Sequence, residues 1–571
     1  MKAFLIVIVL ALAACSTPPP GPGIDVDRVM VHVGSMMVLG PRPGDSEHAR
    51  EAALYIQKAV TDAGGTVERF PVGVVDLPGI SVMGATYRDA HRVESTDPDL
   101  LVRFGPPGKV LLIMAHYDTV PGSPGAVDNA VAVGVLIELA RVLASAHPQY
   151  GVMLAFTANE EIGLVGAEAL AARIADDVAF AIALDLIGGS GDLVLNGASE
   201  LIGAEEMRWL AAAAQRAGIV VRAPLAHRVV SRWWPQAERS DHGPFTRRGV
   251  RAVHFYNRGQ DGEWIDLAYH SPGDLLPRVD RTSVDEVGRL LFALTRLPPP
   301  EPGGADGFWV PIVANRIIPR AVLIGGELVL ALVALGALLS LRTARERGGL
   351  GVLAGLLCFA GASGITLAVE VLLRGDHPAP WLHAPLRAEI AGVLVLAGSF
   401  GLLVMLARRL RPWIGELRYL AVAAAIPLAI GSTLLAIGAA ELAWIWLVPA
   451  AMIALAPRFG PARLLAVVAA ALPAVLVLTP DLLREAAFNG FLPPIPLAGL
   501  LAAFLVPVAA AAAWLLRRRR GQGPLGAFVL PVGCLLSVVT GVVLVSRAHP
   551  ACTPADFNQF HLACERGVGV R

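Results

Sequence analysis

Residues 110–130 read VLLIMAHYDTVPGSPGAVDNA. Six apolar residues, 110–115, run without a spacer into His116 and Asp118, and a Gly/Pro-rich turn then leads to Asp128. An unbroken apolar run of this length, closed by turn residues, predicts a strand buried on both faces of a sheet. Ionisable groups at the exit of such a strand are costly to bury unless they are paired or hold an ion. The pattern recurs twice. The apolar run 151–157 leads into Asn159, Glu160 and Glu161, and the run 179–184 leads into Asp185. In open α/β sheets the carboxyl ends of the strands are where ligands bind.

Working outward, helical patterns at 46–63, 129–146, 162–173, 203–217 and 283–297 alternate with these runs and with a further strand at 250–256. In the last helix Ser283 and Glu286 have capping-box spacing. The alternation predicts an α/β fold with a mixed, mostly parallel central sheet flanked by helices. Asp128 precedes the second helix and so returns to the same sheet edge, and His270 lies between the last strand and the last helix. His116, Asp128, Glu161, Asp185 and His270 offer nitrogen and oxygen and no thiolate. That donor set suits zinc, with cobalt or manganese as alternatives. Five ligands exceed the needs of one tetrahedral zinc with an open position, and they fit two metals that share a bridging carboxylate.

The ordered elements HYD (116–118), GAVDNA (125–130), NEEIGLVGA (159–167), LDLIG (184–188), SDHGPF (240–245) and YHSPGD (269–274) resemble the co-catalytic two-zinc aminopeptidases. Relatives of that family include glutaminyl cyclases, glutamate carboxypeptidases and transferrin receptors. The resemblance covers residues 45–297 and implies a peptide substrate and two Zn2+ ions per chain. It implies that His116 and Asp185 hold one ion, Glu161 and His270 the other, and that Asp128 bridges them. Glu160 would be the general base, Asp118 would orient His116, and Tyr269 would polarise the scissile carbonyl. The peptide bond between Asp128 and Asn129 is expected to be cis. LDLIG also occurs in the cyclase branch, whose site uses a single zinc for acyl transfer. A catalytically inactive, peptidase-like binding or transport protein is a third reading, although that branch loses ligands and this chain retains all five. Asp241 and His242 are read as shaping their loop. The stretch RWWP (232–235) either lines a pocket or packs, and His91, His147 and His227 have no motif around them.

The whole chain of 571 residues is too long for one compact domain. Its 47 basic and 47 acidic residues leave no net field to attract nucleic acid. The hydrophobic fraction is 55% and the mean hydropathy +0.59, both high for a soluble protein. The excess lies beyond residue 319. Residues 1–15 read as a signal peptide whose end, LAAC, resembles the lipobox of bacterial lipoproteins, with an uncleaved anchor as the alternative. A linker (16–24), a zinc peptidase domain (25–297) and a Pro/Gly linker (298–312) follow. An all-α transmembrane domain of about eight helices (320–546) and an extracytoplasmic tail (547–571) complete the chain.

With the peptidase domain outside, the inner loops carry Arg342, Arg345, Arg347, Arg408, Arg409, Arg411, Arg418, Arg458, Arg463 and Arg517 to Arg520. The outer loops carry only Arg374, Arg387 and Arg484. This bias fits the positive-inside rule and predicts a bacterial cytoplasmic membrane protein with its peptidase domain and C-terminus extracytoplasmic. Cys358 and Cys534 read as packing residues, and Cys552 and Cys564 as a disulfide on the oxidising side. Glu327 and Glu370, inside apolar blocks, read as structural. Partners are thus the peptide substrate and the lipid bilayer, with no nucleic acid, and the sequence carries no signal of oligomeric state.

Overall fold

The chain begins with α1 (Val26–Leu39) and α2 (Glu47–Asp62), each started by a capping side chain. Asp25 accepts the amides of Asp27 and Arg28, and Ser46 accepts that of Ala49. The structure, a computed structural model, describes residues 24–82, 85–88, 90–196, 201–222, 240–259, 268–301, 307–310, 316–340 and 416–458. It divides into two compact units, Met1–Ile317 and Ile318–Arg571.

In the first unit α2 is followed by β1 (Val67–Leu77), the hairpin β2 (Ile80–Val82) and β3 (Ala85–Arg88), β4 (His91–Phe104) and β5 (Val110–His116). Then come α3 (Val131–Ala146), β6 (Gly151–Thr157), α4 (Val165–Ile174), β7 (Val178–Leu184), β8 (Leu193–Asn196), α5 (Ala204–Ala217) and β9 (Val221–Arg222). The series ends with α6 (His242–Arg247), β10 (Ala252–Asn257) and α7 (Arg281–Leu294).

One sheet has the order β1-β4-β6-β5-β7-β10-β8-β9. Its centre, β6-β5-β7-β10, is parallel, while β4 and β8 run antiparallel to their inner neighbours. The fold is therefore mixed α/β, with a parallel centre and a further parallel pair, β8 and β9, at one edge. Every residue of β5, β6 and β10 is buried, as strands covered on both faces must be. Alternation in β5 assigns the two faces. Leu111, Ile113 and Ala115 join the core that contains α1, α2, α3, α5 and α7 residues. Val110, Leu112 and Met114 join a smaller core with Leu170 of α4 and Phe245 of α6.

Several boundaries differ from the sequence expectation. The helix after Asp128 begins at Val131, because Asp128 and Asn129 have non-helical dihedrals within a turn over Ala126–Ala130. The helix expected from 162 begins at Val165, since 160–164 form a turn with Leu164 at positive φ. The expected capping box at Ser283 is not the helix start. Asp280 caps α7 by accepting the amide of Thr282, and the Ser283 hydroxyl donates to Asp280 Oδ2. Aspartate caps as well as serine, and starting earlier gives Val284 and Val287 a full turn behind them as they bury. The outer strands β1, β4, β8 and β9 and the helix α1 had no counterpart in the sequence reading. The early part of β4, HRVESTDPD, is polar and holds Pro98, so it resembles a loop until β1 pairs with it; β6 pairs only with Leu100–Phe104.

A ribbon of β11 (Gly307–Val310) and β12 (Arg316–Pro319) precedes the helices of the second unit. That unit contains α8 (Arg320–Leu339), α9 (Glu416–Ala436) and α10 (Ala440–Leu455), all within residues 320–546, where the spans are expected. Small residues let them approach: Ala334 packs with Ala450 and Ala451, and a Cβ on Gly431 would come within 2.7 Å of Leu447 Cγ. Glu327 of α8 is buried. Among the described residues two helical stretches are long and apolar enough to cross a membrane, Ala126–Ala146 and Ala321–Leu339. The first is 78% buried and is the core helix beside β5, whereas the second is 17% buried. The expected signal peptide with Cys15, the remaining spans, Glu370 and the other four cysteines lie outside the described residues.

Candidate metal centre

Three adjacent parallel strands deliver the site. His116 is the last residue of β5 and pairs in register with Thr157, the last of β6. Glu160 and Glu161 follow β6 after two residues, and Asp185 follows β7 directly. The loop 117–125 brings Asp128 back to this edge, and the segment between β10 and α7 brings His270. All five expected ligands meet there.

Asp128 stands at the middle. Its Oδ1 lies 3.3 Å from His116 Nε2, and its Oδ2 lies 3.2 Å from His270 Nε2. His116 Nε2 is also 3.5 Å from Asp185 Oδ1, and His270 Nε2 is 3.0 Å from Glu161 Oε2. One carboxylate thus faces two imidazole–carboxylate pairs, one through each oxygen. His116, Asp128 and Glu161 each offer a ligand atom within 4.8 Å of the others, a grouping that can hold a metal ion. The peptide bond Asp128–Asn129 is cis, as the resemblance implied.

The electrostatics match a site built for cations. Burial pushes the carboxyl of Glu160 well above its usual range and that of Glu161 up to about 7. Burial opposes charge on the histidines too, but the surrounding carboxylates outweigh it. Glu160, Asp118, Asp128 and Asp185 hold His116 well above the usual imidazole range, and Glu161 and Asp128 raise His270 to about 10. Asp128 is equally buried, yet its bonds to both histidines pull it below the usual carboxylate range. The negative charge here exceeds what neutral imidazoles can balance. Nitrogen and oxygen donors around such a deficit of positive charge fit zinc.

Asp118 joins the two halves of the site. Its carboxylate accepts the amides of Glu160 and Glu161, both at 3.1 Å, and so holds the turn that aims these two side chains. His116 Nδ1 donates to the main-chain oxygen of Asp118 at 3.2 Å and lies 3.6 Å from its Oδ1. Tyr269 stacks on His270 with ring centroids 3.7 Å apart. Asp241 accepts the Thr157 hydroxyl at 2.5 Å, and His242 stacks on His254. His91 begins β4 and His147 follows α3, both exposed, while residues 232–235 and His227 lie outside the described residues.

Three contributors escaped the sequence reading. Asp274 accepts the amides of Val127 and Asp128 at 2.8 and 3.0 Å. Asn129 Nδ2 donates to the carbonyl of Leu184, next to Asp185, at 2.8 Å. Arg42, wholly buried, donates to carbonyls of the loop 117–125. Asp274 was legible as the last letter of YHSPGD, and Asn129 lies within GAVDNA. Arg42, in the turn-like PRPGD, gave no signal.

Residues 101–295 match Peptidase family M28. The family recognised from the six motifs is confirmed for this segment. Over 196 residues the chain is 28% identical to Aminopeptidase YwaD of Bacillus subtilis (strain 168), an alignment covering 32% of this chain and 40% of that protein. Over 59 residues it is 42% identical to the Vacuolar membrane protease of Candida albicans (strain WO-1), covering 10% of this chain and 7% of that protein. The chain therefore spans less than half the length of these curated relatives. A solved aminopeptidase from Aneurinibacillus sp. strain AM-1 superposes with a TM-score of 0.40 at 16% identity, covering 49% of this chain and 95% of that one.

Proposed function

We propose that this chain is a membrane-anchored, zinc-dependent aminopeptidase. In this reading it removes N-terminal residues from peptides on the outer side of a bacterial cytoplasmic membrane. The observation that carries the reading is the Asp128 carboxylate shared between the pair His116 and Asp185 and the pair Glu161 and His270. Those five residues would hold two zinc ions, with Asp128 as the bridge. The ions would supply Lewis-acid activation of water and of the scissile carbonyl.

The protein's own groups do the rest. Glu160 lies next to a ligand but is not one, so its carboxylate is free to take the proton of the attacking water and carry it to the leaving amine. Burial raises its affinity for that proton. The hydrogen bond that the Glu160 main-chain N–H donates to the Asp118 carboxylate fixes where this side chain begins. Tyr269, stacked on His270, would orient the substrate carbonyl.

Support for the anchor comes from the apolar, largely exposed helix α8, from the arginine bias of the loops, and from the similarity to a membrane protease. The domain limits read from the sequence, 25–297 and 320–546, belong to the same proposal.

The test counts metal and turnover together on the purified full chain. Two zincs per chain, with hydrolysis of peptides that have a free N-terminus and none when it is acetylated, is the expected result. One zinc and cyclisation of N-terminal glutamine would establish the cyclase reading instead. No bound zinc and no turnover would establish the binding-protein reading.

A further inference from the structure

The segment 124–128, which carries Asp128 into the site, is gripped from opposite sides by two charges distant in sequence. On one side Arg42 Nη1 donates to the carbonyl of Pro124 at 2.8 Å and Nη2 to that of Gly125 at 3.2 Å. On the other, Asp274 accepts three amides: its main-chain oxygen takes Ala126 at 3.3 Å, and its carboxylate takes Val127 and Asp128. The peptide unit joining Gly125 to Ala126 is thereby held at both ends, its oxygen by the cation and its N–H by Asp274.

Arg42 also secures the start of the loop, since its Nε donates to the carbonyl of Tyr117, next to His116. Both gripping residues are almost fully buried, at 0% and 1% exposure. Gly125 makes the approach feasible. It has φ +65°, and a Cβ there would sit 2.3 Å from the Asp128 carbonyl and 3.0 Å from Arg42 Nη2.

We infer that Arg42 and Asp274 form a charged clamp whose task is to set the position of Asp128, so that its two oxygens face both halves of the site. Neither residue reaches the reacting atoms; both are positioning residues. The inference rests on the metal-site reading above and adds to it two positioning residues, of which Arg42 lies outside every motif. The clamp acts on peptide dipoles, so a neutral side chain of the same volume cannot replace either member. Groups that orient metal ligands typically contribute 10–100-fold in metal affinity.

The test uses the full chain and its Arg42→Met, Arg42→Lys, Asp274→Asn and Arg42→Met/Asp274→Asn variants. Affinity for Zn2+ is read by chelator competition, and ligand geometry by the visible absorption of the Co2+-loaded protein. Arg42→Met and Asp274→Asn should each weaken at least one ion by roughly 10–100-fold and shift the Co2+ bands at full occupancy. The double variant should lose less than the two single losses combined, because the pair acts as a unit. If Arg42→Met does not fold, Arg42→Lys and Asp274→Asn decide the matter. Variants that bind both ions within about threefold of the unaltered chain, with unchanged Co2+ spectra, would overturn the clamp alone. An unaltered chain that binds no metal would overturn the reading of the site, and the clamp with it.

Discussion

In the proposed reading the chemistry of this protein concentrates in one side chain, Asp128. Each of its oxygens faces a different imidazole, so its loss acts on both halves of the site. Two dications a few ångströms apart repel strongly unless a shared anion lies between them. Asp128→Ala is therefore expected to reduce zinc content from two per chain to near none. His270→Ala should release mainly the ion on the Glu161 side. Elemental analysis of the purified variants checks both, and an Asp128→Ala protein that kept two zincs would rule out the shared bridge. Glu160 makes a separate contribution. Glu160→Gln should retain both ions and lower kcat by at least about 100-fold, the usual worth of a general base. A variant with metal intact and kcat within tenfold of the unaltered enzyme would remove Glu160 from that role.

The elements act as supports, and their own ion pairs can be tested apart from catalysis. Glu168 of α4 is nearly buried and accepts Arg247 of α6 and the adjacent Arg248, at 2.6 and 2.8 Å, tying the two helices on the smaller-core face. Burial alone would raise its carboxyl, but the two guanidiniums outweigh burial and hold it below the usual 4.5. A depressed folded-state value means stability that is fully present above about pH 4.5 and lost as the pH falls through the lower, folded value. Glu168→Gln should thus cost about 1 kcal/mol at pH 7, allowing for partly exposed arginines. The cost should shrink as the pH drops below 4.5. Denaturant melts of both proteins at pH 7 and pH 4 check this, and a pH-independent difference would show that the pair contributes through packing rather than charge.

At the scale of the molecule, two units of different composition share one chain. The first buries its apolar helix α3 against a sheet. The second contains α8, of similar hydrophobic character but largely exposed among the described residues. An apolar helix that does not cover itself with protein is suited to lipid. With the arginine bias of the loops, this predicts the orientation of the whole. A reporter fused after Arg520 should read cytoplasmic, and one fused after Arg571 should read external. The opposite result at either position would overturn the eight-span topology.

The sheet centre and the ionisable residues gathered at its edge were legible because the signals are local. A strand buried on both faces must be apolar throughout, and the ligands lie within a few residues of where such strands end. His116, Glu160, Glu161 and Asp185 could thus be named from runs of seven or fewer residues. Asp128 and His270 required motif order, since each reaches the site through a loop. What sequence could not show depends on meetings between distant residues. The polar start of β4 is a strand because β1 pairs with it, while β6 pairs only with its apolar end. Asp280 outcompetes Ser283 as the cap of α7 because of which residues the helix then buries. Arg42, in α/β terms an unremarked turn residue, lies 86 positions from Asp128 by sequence number. Its guanidinium reaches the carbonyls of residues 124 and 125 only after the loop has folded over it. Backbone carbonyls are present at every residue, so no pattern of side chains can announce which of them a buried charge will hold.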